Sequence, residues 1–157
     1  MKGTVSHEQA VPAAVAEVWA IYGSLRLIRL AVELVPSVFE KVEVVEGDGG
    51  EGTVLRVTLS NAFPEPRTYK EKYVKMDHEN FIKEAEVVEG GYLNLGFRQC
   101  LYRFKMIENG ADSCVIRSSI DYDVKEGHEQ NVALVTTGPV AALAEAIGNY
   151  LTERKPS

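Results

Sequence analysis

The chain has 157 residues, 45% of them hydrophobic and 25% charged, which are the proportions of an ordinary globular protein. One domain over residues 1–157 is the simplest organisation at this length, and it can bury roughly two thirds of its unfolded surface. The net charge of -6, without a basic run, argues against nucleic acid and anionic membranes as partners. The first residues lack the apolar core of a signal peptide, so a cytoplasmic location is expected.

The predicted elements begin with a strand and two short helices. Alternation predicts a strand over residues 4–11, and a period near 3.6 predicts helices over 13–22 and 25–35. The period then changes to two and predicts six strands, at residues 38–45, 53–59, 68–74, 81–91, 97–107 and 114–124. Cys100 and Cys114 fall in these strands, and buried reduced thiols are favoured over a disulfide.

Helical spacing returns after His128 and continues to Leu151. Pro139 lies inside this apolar stripe and either kinks the helix or marks its true beginning. Residues 154–157 are expected to form a solvated tail. The order of the elements predicts an α+β fold in which a highly curved, seven-stranded antiparallel sheet wraps around one long C-terminal helix.

A glycine-rich segment at residues 46–52 formally matches G-x-G-x-x-G, the pattern of dinucleotide-binding loops. That site needs a helix immediately after the glycines, whereas here an alternating, β-branched segment follows. Asp48 and Glu51 would also repel a phosphate. A loop that connects two strands is therefore favoured over a nucleotide site.

The predicted hairpin at residues 68–91 carries ionisable residues on faces that are otherwise apolar. Alternation places Glu71 between Tyr69 and Tyr73, and Lys83 on the face of Ala85 and other apolar residues. These faces coincide only if the connection around His78 has an odd number of residues, about three or five, because an even connection would turn Lys83 outward.

If the faces coincide, the interior is too polar for a dry core and suits an internal cavity that binds a ligand. The inward residues that indicate this are Tyr69, Glu71, Tyr73, Lys83, Tyr102, Ser118 and Tyr122.

Four segments carry a resemblance to a known family: residues 46–53, 69–72, 89–93 and 136–139. They resemble the major birch pollen allergen family, the class 10 pathogenesis-related plant proteins, and the resemblance covers essentially the whole chain. It implies the helix-grip fold. Within the family, the chain is most similar to the alkaloid-forming branch, to its norbelladine-forming enzymes first and its norcoclaurine-forming enzymes next.

The resemblance implies condensation of a phenethylamine (tyramine or dopamine) with a phenolic aldehyde, 3,4-dihydroxybenzaldehyde being favoured. The product would be an imine for a downstream imine reductase, and no cofactor is implied. The family's catalytic tyrosine, acid and lysine fall on Tyr69, Glu71 and Lys83. Lys83 is favoured as a general acid over a Schiff-base lysine, Glu71 as the base, and Tyr69 as a donor to the carbinolamine oxygen or an orienter of the acid. The expected substrate pocket comprises Tyr73, Phe81, Phe97, Tyr102, Tyr122 and Val140.

One departure from the branch concerns ring closure. The norcoclaurine-forming enzymes place an aspartate where this chain has Tyr102, which favours imine formation over a Pictet–Spengler condensation. A further alternative is a non-catalytic carrier of cytokinins, flavonoids or alkaloids, in which Glu71 and Lys83 form a buried ion pair. The three histidines show no ligand spacing, so a metal site is not favoured.

Overall fold

Seven strands and three α-helices follow one another in the predicted order. The computed structural model describes residues 1–153, and the expected tail at residues 154–157 lies outside them. The strands are β1 Lys2–Val11, β2 Phe39–Glu46, β3 Val54–Leu59, β4 Thr68–Asp77, β5 Ile82–Gly90, β6 Phe97–Gly110 and β7 Ser113–Val124. The helices are α1 Val15–Tyr22, α2 Arg26–Leu34 and α3 Gly138–Glu153, with 3-10 helices at Gly91–Leu95 and Glu129–Leu134.

The strands form one antiparallel sheet in the order β1-β7-β6-β5-β4-β3-β2. The apolar stripe of α3 is buried and comprises Val140, Leu143, Ala144, Ile147 and Leu151. The helix α3 contacts β1, β7 and α2, and a Cβ added at Gly148 would lie 3.5 Å from Val11. The predicted α+β plan, a sheet that grips the C-terminal helix, is confirmed.

Pro139 marks the beginning of the last helix and does not kink it. The helix α3 starts at Gly138, and the preceding apolar residues form the separate 3-10 helix Glu129–Leu134. The whole segment Glu129–Glu153 is apolar enough to cross a membrane by length and composition, a test that the core helix of a soluble protein also passes. Its α-helical part has 16 residues, fewer than the roughly 20 that a bilayer span needs.

The hairpin of β4 and β5 contradicts the predicted odd connection. Asp77 pairs with Ile82, so the connection has four residues, 78–81. Lys83 is nevertheless buried, at 1% exposure. A β-bulge leaves Val74 as an extra residue on β4, so that Tyr73 pairs with Ala85 and faces inward with Lys83. Glu71 therefore lies opposite Val87. The prediction that an even connection would turn Lys83 outward was wrong, since it assumed an unbroken ladder.

The glycine-rich segment is a connection between β2 and β3. Gly47, Gly49 and Gly52 have φ values of 98°, 105° and 93°, which suit glycine. The Gly49 N–H donates to Thr53 Oγ1 over 2.8 Å, and the strand β3 follows directly. The helix that would hold a nucleotide phosphate does not follow this loop.

Candidate active site

A largely apolar cavity of about 210 Å³ lies between the sheet, the β3–β4 connection and the start of α3. Four of its lining residues, Pro64, Glu65, Leu134 and Thr136, are exposed and mark its mouth. The others are Phe39, Leu59, Phe63, Pro66, Tyr69, Val87, Gly91, Tyr92, Leu95, Tyr102, Pro139 and Val140. A cavity with aromatic walls and few polar groups suits a small phenolic ligand.

Two tyrosines stand face to face in the cavity wall. The rings of Tyr69 on β4 and Tyr102 on β6 are stacked, with centroids 6.2 Å apart and planes 11° from parallel. Burial raises the pKa of both hydroxyls well above the usual value, and the Glu71 charge raises that of Tyr69 further. Both phenols therefore stay protonated and are available as hydrogen-bond donors.

Glu71 and Lys83 lie beyond the inner end of this cavity. Glu71 is the next inward residue after Tyr69 on β4 and pairs with Val87, and both of those neighbours line the cavity. Lys83 lies on the same inward face of β5, two inward positions from Val87. The curved sheet thus brings the predicted tyrosine, acid and lysine onto one concave face.

The acid and the lysine influence each other without forming a close ion pair. Burial raises the pKa of Glu71 to about 7, and the Lys83 charge partly offsets this. Burial lowers the pKa of Lys83 to about 8, and the Glu71 charge partly offsets it. Within residues 1–153, no carboxylate oxygen lies within 4.0 Å of Lys83 Nζ. Both groups therefore keep their hydrogen-bonding capacity for a ligand.

Three aromatic rings surround the Lys83 ammonium. Its Nζ lies 4.7 Å from the ring centroid of Tyr73, 5.4 Å from that of Phe104 and 5.8 Å from that of Tyr22. Such contacts each favour the cation by about 0.5–2 kcal/mol, the larger value where water is excluded. The rings thus oppose the loss of the Lys83 proton that burial promotes.

Two of these rings, Phe104 and Tyr22, were missed as site residues. Phe104 is the next inward residue after Tyr102 on β6, so alternation contains the signal that would have found it. Tyr22 belongs to the apolar stripe of α1, and only the packing of α1 against β6 brings it near Lys83.

The predicted pocket residues separate into two groups. Tyr102 and Val140 line the cavity, as does the predicted catalytic Tyr69. Tyr73 does not line it, because its ring is buried under the Lys83 ammonium. Phe97 does not either, because its ring fills the core beside Tyr92 at a centroid distance of 5.4 Å.

Phe81 and Tyr122 also lie away from the cavity wall. Phe81 belongs to the turn between β4 and β5, with φ 58°, and its ring packs 5.8 Å from that of Trp19. Tyr122 lies near the end of β7, where it pairs with Gly3 on the edge strand β1. Alternation assigned the face of Tyr122 correctly but could not say how far along the strand the cavity extends.

Tyr92 and the β3–β4 connection supply further wall residues near the mouth. The Tyr92 hydroxyl donates to the Leu134 carbonyl over 3.3 Å and accepts from the Thr136 N–H over 3.2 Å. Tyr92 thereby ties the 3-10 helix Gly91–Leu95 to the segment before α3. Phe63 enters the cavity from the irregular connection, whose path no periodicity reveals.

No group of three or more His, Cys, Asp or Glu side chains in the described part of the chain is placed to hold a metal ion. Cys100 and Cys114 are both buried and free, in agreement with the expected reduced thiols. Burial raises the pKa of the Cys100 thiol to about 12, so this cysteine is not an activated nucleophile.

Comparison with known proteins shows which proteins this chain is similar to. The chain is 45% identical over 155 residues to norbelladine synthase from Narcissus pseudonarcissus, covering 99% of this chain and 95% of that protein. It is 40% identical over 160 residues to S-norcoclaurine synthase 1 from Papaver somniferum, covering 99% of this chain and 68% of that protein.

Solved structures agree with this placement. Norcoclaurine synthase from Thalictrum flavum, in complex with dopamine and hydroxybenzaldehyde, superposes with a TM-score of 0.89 at 38% identity. That comparison covers 100% of this chain and 90% of the other. The pathogenesis-related protein Bet v 1 family matches residues 2–154. Because this match covers almost the whole chain and the relatives share more than 30% identity with it, the chain belongs to the pathogenesis-related protein Bet v 1 family.

Proposed function

We propose that this protein joins tyramine or dopamine to a phenolic aldehyde, with 3,4-dihydroxybenzaldehyde favoured, and releases an imine. The broader class rests on its full-length similarity to norbelladine and norcoclaurine synthases, which makes it an amine–aldehyde condensing enzyme of alkaloid biosynthesis. What remains a proposal is the substrate pair, the role of each residue and the end of the reaction at the imine.

The observation that carries the proposal is the acid and lysine, without a close ion pair, just beyond the inner end of an apolar cavity. Glu71 and Lys83 have pKa values displaced toward each other, to about 7 and about 8. With such pKa values, Glu71 can take a proton from a substrate and Lys83 can give one to a substrate near neutral pH. Condensation of an amine with an aldehyde needs both, because the amine must lose a proton and the aldehyde oxygen must gain protons.

The proposed reaction begins when the Glu71 carboxylate takes a proton from the substrate ammonium. The free amine nitrogen then attacks the aldehyde carbon, while Lys83 donates a hydrogen bond to the oxygen and stabilises its developing charge. One proton passes from nitrogen to oxygen and gives the carbinolamine, whose oxygen the Tyr69 hydroxyl can contact. The Lys83 proton then leaves with that oxygen as water, and the nitrogen lone pair completes the protonated imine.

Tyr102 supports an imine as the final product. Ring closure needs a base to remove a proton from the substrate, and the Tyr102 hydroxyl cannot be that base because burial raises its pKa well above the usual value. The inward residues of β6 are Cys100, Tyr102, Phe104 and Met106, which include no carboxylate. A released imine hydrolyses in water, so the proposal includes a downstream reductase that consumes it.

The test is an assay of the wild-type protein with each pairing of tyramine or dopamine with 3,4-dihydroxybenzaldehyde or 4-hydroxyphenylacetaldehyde. Borohydride traps any imine as a stable secondary amine, which mass spectrometry distinguishes from a ring-closed product. We expect the trapped secondary amine to form faster with the protein than without it, and fastest when the aldehyde is 3,4-dihydroxybenzaldehyde. Folded protein that binds an apolar dye but matches the protein-free rate with all four pairs would instead indicate a carrier.

A further inference from the structure

Three buried polar atoms beyond Lys83 have no hydrogen-bond partner within the protein. Among the described residues these are the Tyr22 hydroxyl, Ser118 Oγ and His7 Nδ1. Tyr22 and Ser118 are each 0% exposed. Folded proteins pair nearly all buried polar atoms with protein or ordered water, because an unpaired one destabilises the fold. Three such atoms within one region therefore indicate an unrecognised polar site.

Sheet pairing sets these groups in a row that starts at Lys83. Lys83 on β5 pairs with Phe104 on β6, Phe104 pairs with Ser118 on β7, and Ser118 pairs with His7 on β1. Residues that pair across antiparallel strands share a face, with Cβ atoms about 4.5–5.5 Å apart. The row thus crosses the concave face from the reactive lysine to the edge of the sheet.

Tyr22 lies over the beginning of the row. Its ring centroid is 5.8 Å from that of Phe104 and 5.8 Å from Lys83 Nζ. At the other end, His7 is only half-buried, on the edge strand β1, although its Nδ1 is enclosed. An imidazole can accept a proton at one nitrogen and release one from the other, so His7 can connect the interior with solvent.

We propose that ordered water among Tyr22, Ser118 and His7 forms a proton relay from solvent to Lys83. The proposal rests on the proposed function, in which Lys83 ends each cycle as a neutral amine and Glu71 ends it protonated. Substrates then fill the cavity on the side of its mouth, and the relay returns a proton to Lys83 from the opposite side. Once the product has left, Glu71 releases its proton to solvent through the mouth. Each cycle thus takes one proton from solvent at Lys83 and returns one at Glu71.

The test removes single hydroxyls from the relay and leaves the rings around Lys83 in place. The variants are Tyr22→Phe, Ser118→Ala and the combination of both. Ser119→Ala is the matched control, because Ser119 is the next residue of β7, on the other face, and its Oγ lies 3.1 Å from that of Ser6. The double variant should lose about tenfold in kcat with KM unchanged and show a larger solvent deuterium isotope effect, whereas the control should match wild type.

A second readout does not depend on activity. Loss of a hydroxyl that binds water should leave the denaturant midpoint unchanged or lower it, and a high-resolution crystal structure should show water bound to Ser118 Oγ and the Tyr22 hydroxyl. A dry site, in which the variants raise the midpoint and wild type shows no water there, would overturn the relay. So would unchanged kcat in the double variant. Absence of imine formation by wild type would contradict the proposed function instead.

Discussion

At the scale of single residues, the proposed chemistry depends on how burial and neighbouring groups set the protonation of Glu71 and Lys83. Burial disfavours both charges and has the largest effect on each pKa. The opposite charge and the three rings around Lys83 act in the other direction. The result is a pair in which a carboxylate and an ammonium coexist near neutral pH.

The proposed roles predict the pH dependence of catalysis from these two pKa values. The rate should rise near pH 7 as Glu71 loses its proton, and its alkaline limb should fall near pH 8 as Lys83 loses its own. Because the two groups interact, both apparent pKa values describe the pair and not either residue alone. Rates of imine formation corrected for the uncatalysed reaction measure this. Lys83→Arg, if active, should move the alkaline limb upward because arginine stays protonated. A corrected rate that does not vary between pH 6 and pH 9 would contradict these roles.

Tyr102 should decide where the reaction ends. Tyr102→Asp introduces a carboxylate into the cavity wall, and we expect dopamine and 4-hydroxyphenylacetaldehyde to give some ring-closed product that wild type does not form. Chromatography coupled to mass spectrometry measures the ratio. Tyr102→Phe is the control, since it keeps the ring against Tyr69 but adds no base. Ring-closed product in wild type or in the control would show that closure does not need a carboxylate there.

At the scale of elements, the bulge in β4 is what lets the hairpin bring both ionisable residues inward. Alternation predicts from the sequence that Glu71 shares a face with Tyr73, and Lys83 with Ala85. It cannot predict how the two faces align, because one extra residue in either strand reverses the alignment. The bulged residue is an ordinary strand former, Val74, which is 42% exposed, so its residue type does not indicate a bulge. The faces were therefore predictable, whereas their register required the structure.

Deleting single residues from β4 tests this alignment. Deletion of Val74 removes the extra residue and leaves Tyr73 opposite Ala85, so Glu71 should stay inward and imine formation should persist. Deletion of Lys72 should set Glu71 opposite the position of Glu86, on the outward face, and abolish catalysis. Both deletions are compared with wild type by rate and by denaturant unfolding. Equal loss of activity in two equally stable deletion variants would contradict the alignment.

At the scale of the whole molecule, the sheet, α3 and the β3–β4 connection enclose a largely apolar cavity. Element order and periodicity predict the sheet and the helix that it grips. They do not predict the cavity wall, because Phe63 and Glu65 come from an irregular connection and Tyr92 is positioned by contacts with Leu134 and Thr136. In the proposed function, Glu71 and Lys83 beyond the inner end of the cavity distinguish this chain from a carrier.

The most direct test is the initial rate of imine formation from tyramine and 3,4-dihydroxybenzaldehyde by Lys83→Met. Lys72→Met is the matched control, because Lys72 is an exposed lysine of the same hairpin. With folding checked by denaturant unfolding, Lys83→Met should lose at least about 100-fold of the catalysed rate, whereas Lys72→Met should keep it. Wild-type catalysis that persists in a folded Lys83→Met variant would contradict the central claim that Lys83 is the acid of this condensation.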